Sequence, residues 1–211
     1  MSEIPLHGYT FMKYIAKRKS HDSGFTLIEM IVTVSIVAIL SSIAAPSFRG
    51  MLENNRATVE ANELVSGLLL ARSEALKRRN NVTLCTSIDQ TTCAGNGETN
   101  FAKGWIVFQD CNDTQVLDTN AGNGITVDCG NGVLEDETII KAQIGSDKMV
   151  VTKNGPGADQ HFFTYNFTGR ADLAITFEVR KIAGGPALKA VRVARTGRVR
   201  TVTCTNGICP P

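Results

Sequence analysis

The sequence predicts an α+β protein in which a long N-terminal helix, membrane-spanning in its first half, packs on an antiparallel β domain. Residues 25–45 form an unbroken apolar run whose only ionisable residue is Glu29. Apolar residues then recur at helical spacing as far as Leu76, which predicts that the helix continues beyond the membrane. After Asn81 the pattern changes to short β-prone runs separated by Gly, Asn and Asp. These changes divide the chain into a leader at 1–24, a helix at 25–80 and a β domain at 81–211.

The apolar run is long enough to cross a membrane. Its 21 residues span about 30 Å as a helix, at about 1.5 Å of rise per residue. A secretory signal has a shorter apolar core, of about 7–15 residues, so a retained membrane helix is preferred. Glu29 is costly in hydrocarbon, which predicts a functional role for it. The alternative is a plain anchor in which the Glu29 side chain reaches the membrane interface.

The helical stripe that follows the span predicts which face of the helix packs on the β domain. Six residues form this stripe and three more widen it: Phe48, Leu52, Val59, Val65, Leu69 and Leu76, with Met51, Leu64 and Leu68. Basic residues at 77–79 predict the last turn, and Asn80 or Asn81 is the predicted left-handed cap. A bend in the helix is expected at Pro46 and Gly50.

Eight later segments are predicted to be strands, because each is rich in β-branched or aromatic residues and is bounded by turn residues. They are residues 82–87, 105–109, 138–144, 149–153, 162–167, 174–180, 188–194 and 198–203. Gly-Asn-Gly occurs at 95–97, 122–124 and 130–132. Because no Lys-Ser/Thr follows them, these segments are predicted to be turns and not phosphate loops.

Charge is distributed unevenly along the chain. Residues 1–24 hold four basic and two acidic residues (net +2), residues 25–178 hold 11 and 18 (net −7), and residues 179–211 hold seven and none (net +7). A basic segment before an apolar run predicts a cytoplasmic N-terminus. The chain would then cross the inner membrane once, with its β domain in the periplasm or outside the cell.

Six cysteines follow the apolar run, which fits an oxidising compartment; they are Cys85, Cys93, Cys111, Cys129, Cys204 and Cys209. Six cysteines allow 15 pairings. The first pairing to test joins sequence neighbours: Cys85–Cys93, Cys111–Cys129 and Cys204–Cys209. A zinc site is the weaker alternative, because there is no Cys-x-x-Cys and the only histidine after residue 24 is His161.

Residues 24–29, Gly-Phe-Thr-Leu-Ile-Glu, resemble the processing site of type IV pilins and pseudopilins. The resemblance implies that a prepilin peptidase cuts between Gly24 and Phe25 and methylates the new amine of Phe25. It implies further that Glu29 pairs with the terminal amine of a neighbouring pilin subunit, and that Pro46 bends the helix. The protein would be held in the inner membrane first and be inserted into a pilus filament afterwards.

Further segments of the chain are similar to the GspH/FimT-like minor pilins: residues 104–118, 133–144, 165–170 and 196–200. The chain departs from that group by an insertion at 119–132, which contains Cys129. The resemblance implies a minor pilin of a type IV pilus. The alternative is a minor pseudopilin of a type II secretion system, which shares every N-terminal feature.

The sequence has no catalytic motif, so neither an enzyme nor a cofactor is predicted. Oxygen-bearing side chains crowd one loop; they are Asp110, Asn112, Asp113, Asp118 and Asp128. Oxygen ligands at alternate positions suit calcium, but the glycine at the sixth position of a calcium loop is missing. A solvated turn, stapled by Cys111 and Cys129, is therefore preferred to a metal site.

Four arginines lie close together near the C-terminus with no acid beside them: Arg192, Arg195, Arg198 and Arg200. The alternation of apolar and basic residues at 191–193 predicts a half-buried strand, and residues 195–197 a hairpin tip. Such a hairpin would bind phosphates, or it would be a basic sheet edge that deters aggregation. Residues 197–200, Gly-Arg-Val-Arg, resemble a motif that FimT-like proteins use in DNA capture during natural transformation. That resemblance implies double-stranded DNA as a partner.

Overall fold

The structure is a computed structural model that describes residues 24–119, 122–146, 148–155, 161–182 and 184–210, without the side chains of Pro46 and Asn96. Apart from Gly24, the predicted leader at 1–24 lies outside the described residues. Two compact units divide the chain, the first ending at Ala45 and the second beginning at Pro46.

One helix, α1 (Leu27–Arg78), contributes residues to both units. It begins two residues after the predicted start, because the side chain of Thr26 caps it. The Thr26 hydroxyl accepts a hydrogen bond from the main-chain nitrogen of Glu29 at 3.3 Å. This is the N-cap arrangement, and Glu29 stands at the position of the acid in a capping box. Glu29 therefore belongs to the first turn of α1.

The first unit is exposed along its whole described length, residues 24–45. Its large apolar side chains range from Val32, 48% exposed, to Phe25, 82% exposed. By length and composition alone, α1 is long and apolar enough to cross a membrane. Residues on both sides of Pro46 belong to α1, and the bend expected at Pro46 and Gly50 stays a prediction.

The end of α1 differs from the predicted cap. Arg79 takes the left-handed conformation, with φ of 54°, so the prediction of Asn80 or Asn81 in this role is wrong. The Asn80 amide instead donates to the carbonyl oxygen of Cys129 at 3.1 Å. Asn81 already pairs with Asp110 in the first strand. Both asparagines thus contact the β unit, and Arg79 is the residue at which the chain turns out of the helix.

In the described part of the chain, ten strands follow α1, and all their pairings are antiparallel. They are β1 (Asn81–Thr86), β2 (Gly104–Asp110), β3 (Val127–Asp128), β4 (Leu134–Glu135), β5 (Ile139–Ile144), β6 (Met149–Asn154), β7 (Phe162–Tyr165), β8 (Ile175–Lys181), β9 (Lys189–Val193) and β10 (Val199–Thr203). They form two four-stranded sheets, ordered β5-β2-β1-β7 and β10-β9-β8-β6, and a small pair β3-β4. The eight predicted strands are confirmed to within two residues. The β3-β4 pair was not predicted; β3 lies within the predicted insertion and β4 shortly after it.

The face of α1 that packs on the sheets is not the predicted stripe. Four alanines and two leucines face the core: Ala57, Ala61, Leu64, Leu68, Ala71 and Ala75, each at most 2% exposed. Val59, Leu69 and Leu76 of the predicted stripe are about half exposed, at 49–54%. Small side chains let a helix approach a sheet closely. The six-residue stripe is therefore wrong as the core face except at Val65, which is partly buried against the core. The widening residues Leu64 and Leu68 belong to the core.

One close approach explains a glycine within α1. A Cβ atom on Gly67 would lie 2.5 Å from the indole of Trp105 on β2. Trp105 is 3% exposed and belongs to the main core, together with Phe177 and Val191 of the second sheet. The helix thus covers residues from both sheets with one continuous core.

The six cysteines form three disulfides, Cys85–Cys93, Cys111–Cys129 and Cys204–Cys209. This is the pairing of sequence neighbours, and no cysteine is left free among the described residues, which include all six.

Candidate functional site

The predicted processing site lies at the start of the exposed first unit. Gly24 and Phe25 precede α1, and Glu29 is exposed in its first turn. Glu29 has no cationic side chain to pair with in its own segment, because it is the only ionisable residue of 25–45. A partner for it would have to come from outside this segment.

The predicted arginine hairpin is present in the second sheet. Strands β9 and β10 pair in the register that sets Arg192 opposite Arg200. At the tip, the Gly197 nitrogen donates to the Ala194 carbonyl at 2.8 Å, and the Ala194 nitrogen donates to the Arg198 carbonyl at 2.9 Å. The predicted tip at 195–197 is therefore the observed turn.

Alternation along β9 sends Arg192 to the outer face of the sheet. Val191 and Val193 are buried, whereas Arg192 between them is half-buried and faces away from the core. On this face Arg192 has Arg200 on one side and Thr176 of β8 on the other. Directly opposed like charges destabilise a sheet, so the Arg192–Arg200 pair favours any anion that can lie between the two guanidinium groups.

Three of the four arginines line one surface depression of about 510 Å³. Arg192, Arg198 and Arg200 contribute to its wall, together with Thr176 and Thr196. Arg195 is exposed in the turn and is not part of the wall. The residues that line the depression thus include three arginines and two threonines, side-chain types whose donors suit a phosphate.

Glu178 lies on the same face of the sheet as Thr176 and already has partners. Glu178 forms an ion pair with Arg180, and its carboxylate accepts a hydrogen bond from Asn154 at 3.3 Å. The hydrogen bond from Arg180 lowers the pKa of Glu178 from its ordinary value. Glu178 therefore stays charged and paired.

The hairpin tip is fixed to α1 by a contact that the sequence analysis missed. Arg72 Nε donates to the carbonyl oxygen of Gly169, and Arg72 Nη2 donates to that of Thr196, both at 2.9 Å. The Ala171 nitrogen donates to the Arg195 carbonyl at 3.1 Å. One helix side chain thus holds two turns together.

The two turns share a sequence, Thr-Gly-Arg, at 168–170 and at 196–198. Both glycines are left-handed, with φ of 70° at Gly169 and 78° at Gly197. A Cβ atom on Gly197 would lie 2.0 Å from the Gly169 carbonyl oxygen and 2.7 Å from Arg72 Nε. The repeated motif was the signal that could have revealed this packing.

The acidic loop is partly buried, so its prediction as a solvated turn is wrong for Asp110 and Asp118. These carboxylates are 1% and 2% exposed, and a third from Glu137 is 3% exposed. Glu137 accepts hydrogen bonds from the main-chain nitrogens of Cys111 at 2.7 Å and Asp118 at 2.9 Å. Asp110 accepts from the Thr83 hydroxyl at 2.8 Å. Asp113 and Asp128 are exposed.

These buried acids act as acceptors that hold the loop. Burial raises the pKa of Asp110, and it raises the pKa of Glu137 to about 7. Within the described ranges, no group of three or more His, Cys, Asp or Glu side chains is arranged to hold a metal ion.

Two family models match the chain and establish the family to which it belongs. The family model described as type II transport protein GspH matches residues 60–197, and the prokaryotic N-terminal methylation motif matches residues 19–45. The chain belongs to the GspH family. It is accordingly a minor pilin or pseudopilin, a class of structural subunits that assemble with other pilin subunits and are processed by a prepilin peptidase.

Solved structures of such subunits are similar to this chain at low identity. The type IV minor pilin FimU of Pseudomonas aeruginosa is 14% identical, with 75% of this chain and 95% of that chain covered and a TM-score of 0.46. The minor pseudopilin EpsH of the Vibrio cholerae type 2 secretion system is 13% identical, with coverage of 70% and 95% and a TM-score of 0.43. Comparison with curated proteins gives no significant match.

Proposed function

We propose that the protein is a minor pilin of a type IV pilus, held in the inner membrane by residues 25–45 and then transferred into the filament. The observation that supports this most directly is the continuity of α1. The helix that carries the exposed apolar segment also supplies the alanine face that packs in the core of the β unit. The β unit is therefore attached to its anchor by one continuous helix.

Cleavage between Gly24 and Phe25 is expected to give a mature chain that begins with methylated Phe25. Mass spectrometry of the N-terminal peptide of the membrane-extracted protein measures this directly. Thr26 then becomes the second residue of the mature chain and still caps α1 at Glu29. A mature chain that begins at residue 45, or one that keeps residues 1–24, would contradict the proposal.

The alternative is a minor pseudopilin of a type II secretion system, which the description of the matching family favours. Deletion of the gene separates the two, because loss of a minor pilin reduces surface pili and loss of a pseudopilin reduces protein secretion. Normal piliation together with impaired secretion would overturn the pilus assignment and leave the pseudopilin.

A second function, the binding of double-stranded DNA, is supported by the basic depression. Arg192, Arg198 and Arg200 line it, and residues 179–211 contain seven basic residues and no acid. Phosphate contacts carry little sequence information, so the expected binding is non-specific and steeply dependent on salt.

Replacement of Arg198 and Arg200 by Gln is expected to reduce the slope of log affinity against log salt concentration by about two, because each phosphate contact contributes about one unit. Fluorescence anisotropy of a labelled duplex with full-length protein in detergent measures the slope. Arg49→Gln with Arg56→Gln on α1 is the control, since it removes the same charge from another element. Equal binding by the hairpin variant and the parent would show that the hairpin is only a basic sheet edge and does not bind DNA.

A further inference from the structure

Arg192 differs from the other arginines of the depression in how its side chain is held. Its Nη2 donates to the carbonyl oxygen of Cys209 at 3.1 Å. Its Nε is buried and has no acceptor among the described residues. A buried guanidinium N–H without an acceptor is unfavourable, and here it belongs to a side chain that lines a depression with two more arginines.

The carbonyl that holds Arg192 belongs to a small hairpin at residues 204–209. Thr205 and Ile208 exchange two main-chain hydrogen bonds, at 2.9 and 3.0 Å. Between them Asn206 and Gly207 have φ of 51° and 81°, the left-handed pair that a tight hairpin turn requires. The Cys204–Cys209 disulfide joins the two ends. We refer to residues 204–209 as the C-terminal hairpin.

The C-terminal hairpin begins directly after β10, the strand that carries Arg200, and returns to Arg192 on β9. A two-stranded hairpin is marginally stable by itself, so the disulfide is what ties residue 209 to the end of β10. Without that bond the Cys209 carbonyl would no longer be fixed beside Arg192, and the guanidinium would turn away from the like charge of Arg200.

We infer that the C-terminal hairpin positions Arg192 for a phosphodiester, so that nucleic-acid affinity depends on the Cys204–Cys209 disulfide. This inference rests on the DNA binding proposed above and assigns Arg192 a share in it. Arg198 and Arg200 supply their charge from β10 whether the disulfide is closed or open. Arg192 keeps its guanidinium at the depression only while the Cys209 carbonyl accepts a hydrogen bond from its Nη2.

The test is a cycle of four full-length proteins in detergent: the parent, Arg192→Gln, Cys204→Ser with Cys209→Ser, and the triple variant. Each is titrated with a labelled DNA duplex over a series of salt concentrations. Opening the disulfide is expected to lower the salt slope by about one unit and to weaken binding about eightfold at 0.1 M salt. Arg192→Gln does the same, and the triple variant binds no more weakly than Arg192→Gln.

The control is Cys111→Ser with Cys129→Ser, which opens a disulfide at the acidic loop and is expected to leave the salt slope unchanged. Cooperative thermal unfolding checks that each variant is folded. If the Cys204 and Cys209 variant does not fold, a chain ended after Thr203 replaces it with the same expectation.

Three outcomes overturn the inference. Binding by the open-disulfide variant with the affinity and slope of the parent removes the role of the C-terminal hairpin, while DNA binding itself stands. Independent effects of the disulfide and of Arg192→Gln, which add in the triple variant, show that the disulfide does not act through Arg192. Absence of binding by the parent overturns the proposed DNA binding, and the inference with it.

Discussion

Replacement of Glu29 by Ala is expected to prevent incorporation of the chain into filaments while leaving its membrane insertion intact. Glu29 is the only ionisable residue of the apolar segment 25–45, and an intramembrane carboxylate needs a cationic partner. In the proposed filament that partner is the terminal amine of Phe25 on a neighbouring subunit. Removing one partner of a buried pair costs about 3–5 kcal/mol, more than a hundredfold in an assembly equilibrium.

The effect is measured by comparing the amount of the protein in sheared filaments with the amount in the membrane fraction. Glu53→Ala is the matched control, because it makes the same substitution on the same helix. Glu53 forms an exposed ion pair with Lys181, and such pairs contribute little. Filaments that contain Glu29→Ala at the parent level would contradict the pairing.

Gly197→Ala is expected to lower the melting temperature by about 10 °C. The left-handed backbone costs an alanine about 1–3 kcal/mol. The new Cβ atom would also overlap the Gly169 carbonyl oxygen, which lies 2.0 Å from its position. That atom is main chain and accepts from Arg72, so overpacking adds about 1–3 kcal/mol. A domain of this size loses about 2–4 °C for each kcal/mol.

Gly184→Ala separates backbone strain from overlap. Gly184 has φ of 81°, and its added Cβ would meet no atom within 4 Å. Its melting temperature should therefore fall by the smaller, conformational amount alone. Equal losses in the two variants, measured by thermal unfolding of the full-length protein, would show that the packing of the hairpin tip on Gly169 contributes nothing.

The fold was predictable wherever a local pattern carries the information. The alternation of Val191, Arg192 and Val193 predicted both the strand and the face on which its arginine lies. The helix face was not predictable from hydrophobicity, because its core positions are mostly alanines such as Ala61 and Ala71. These alanines suit the core because their side chains are small. The need for small side chains becomes evident only once the distance between helix and sheet is known.

The arginines of the candidate site were predictable from the sequence, but the residues that hold them in place were not. The four arginines lie within nine consecutive positions, so one hairpin is enough to bring them together. Arg72 lies 97 residues before its partner Gly169, and nothing local distinguishes it from other helix arginines. The acidic loop likewise has a support distant in sequence, because Glu137 accepts from the main-chain nitrogens of Cys111 and Asp118 from beyond the insertion.

The disulfides have a consequence for how this chain matures. Each joins a cysteine to the next one along the chain, at separations of 8, 18 and 5 residues. On the proposed topology, the β unit reaches the oxidising side of the membrane in sequence order. An oxidase that acts on cysteines as they emerge then closes every native bond before the next pair arrives. On that topology, vectorial export alone would select one of the 15 pairings, so that no later reshuffling of the disulfides would be needed.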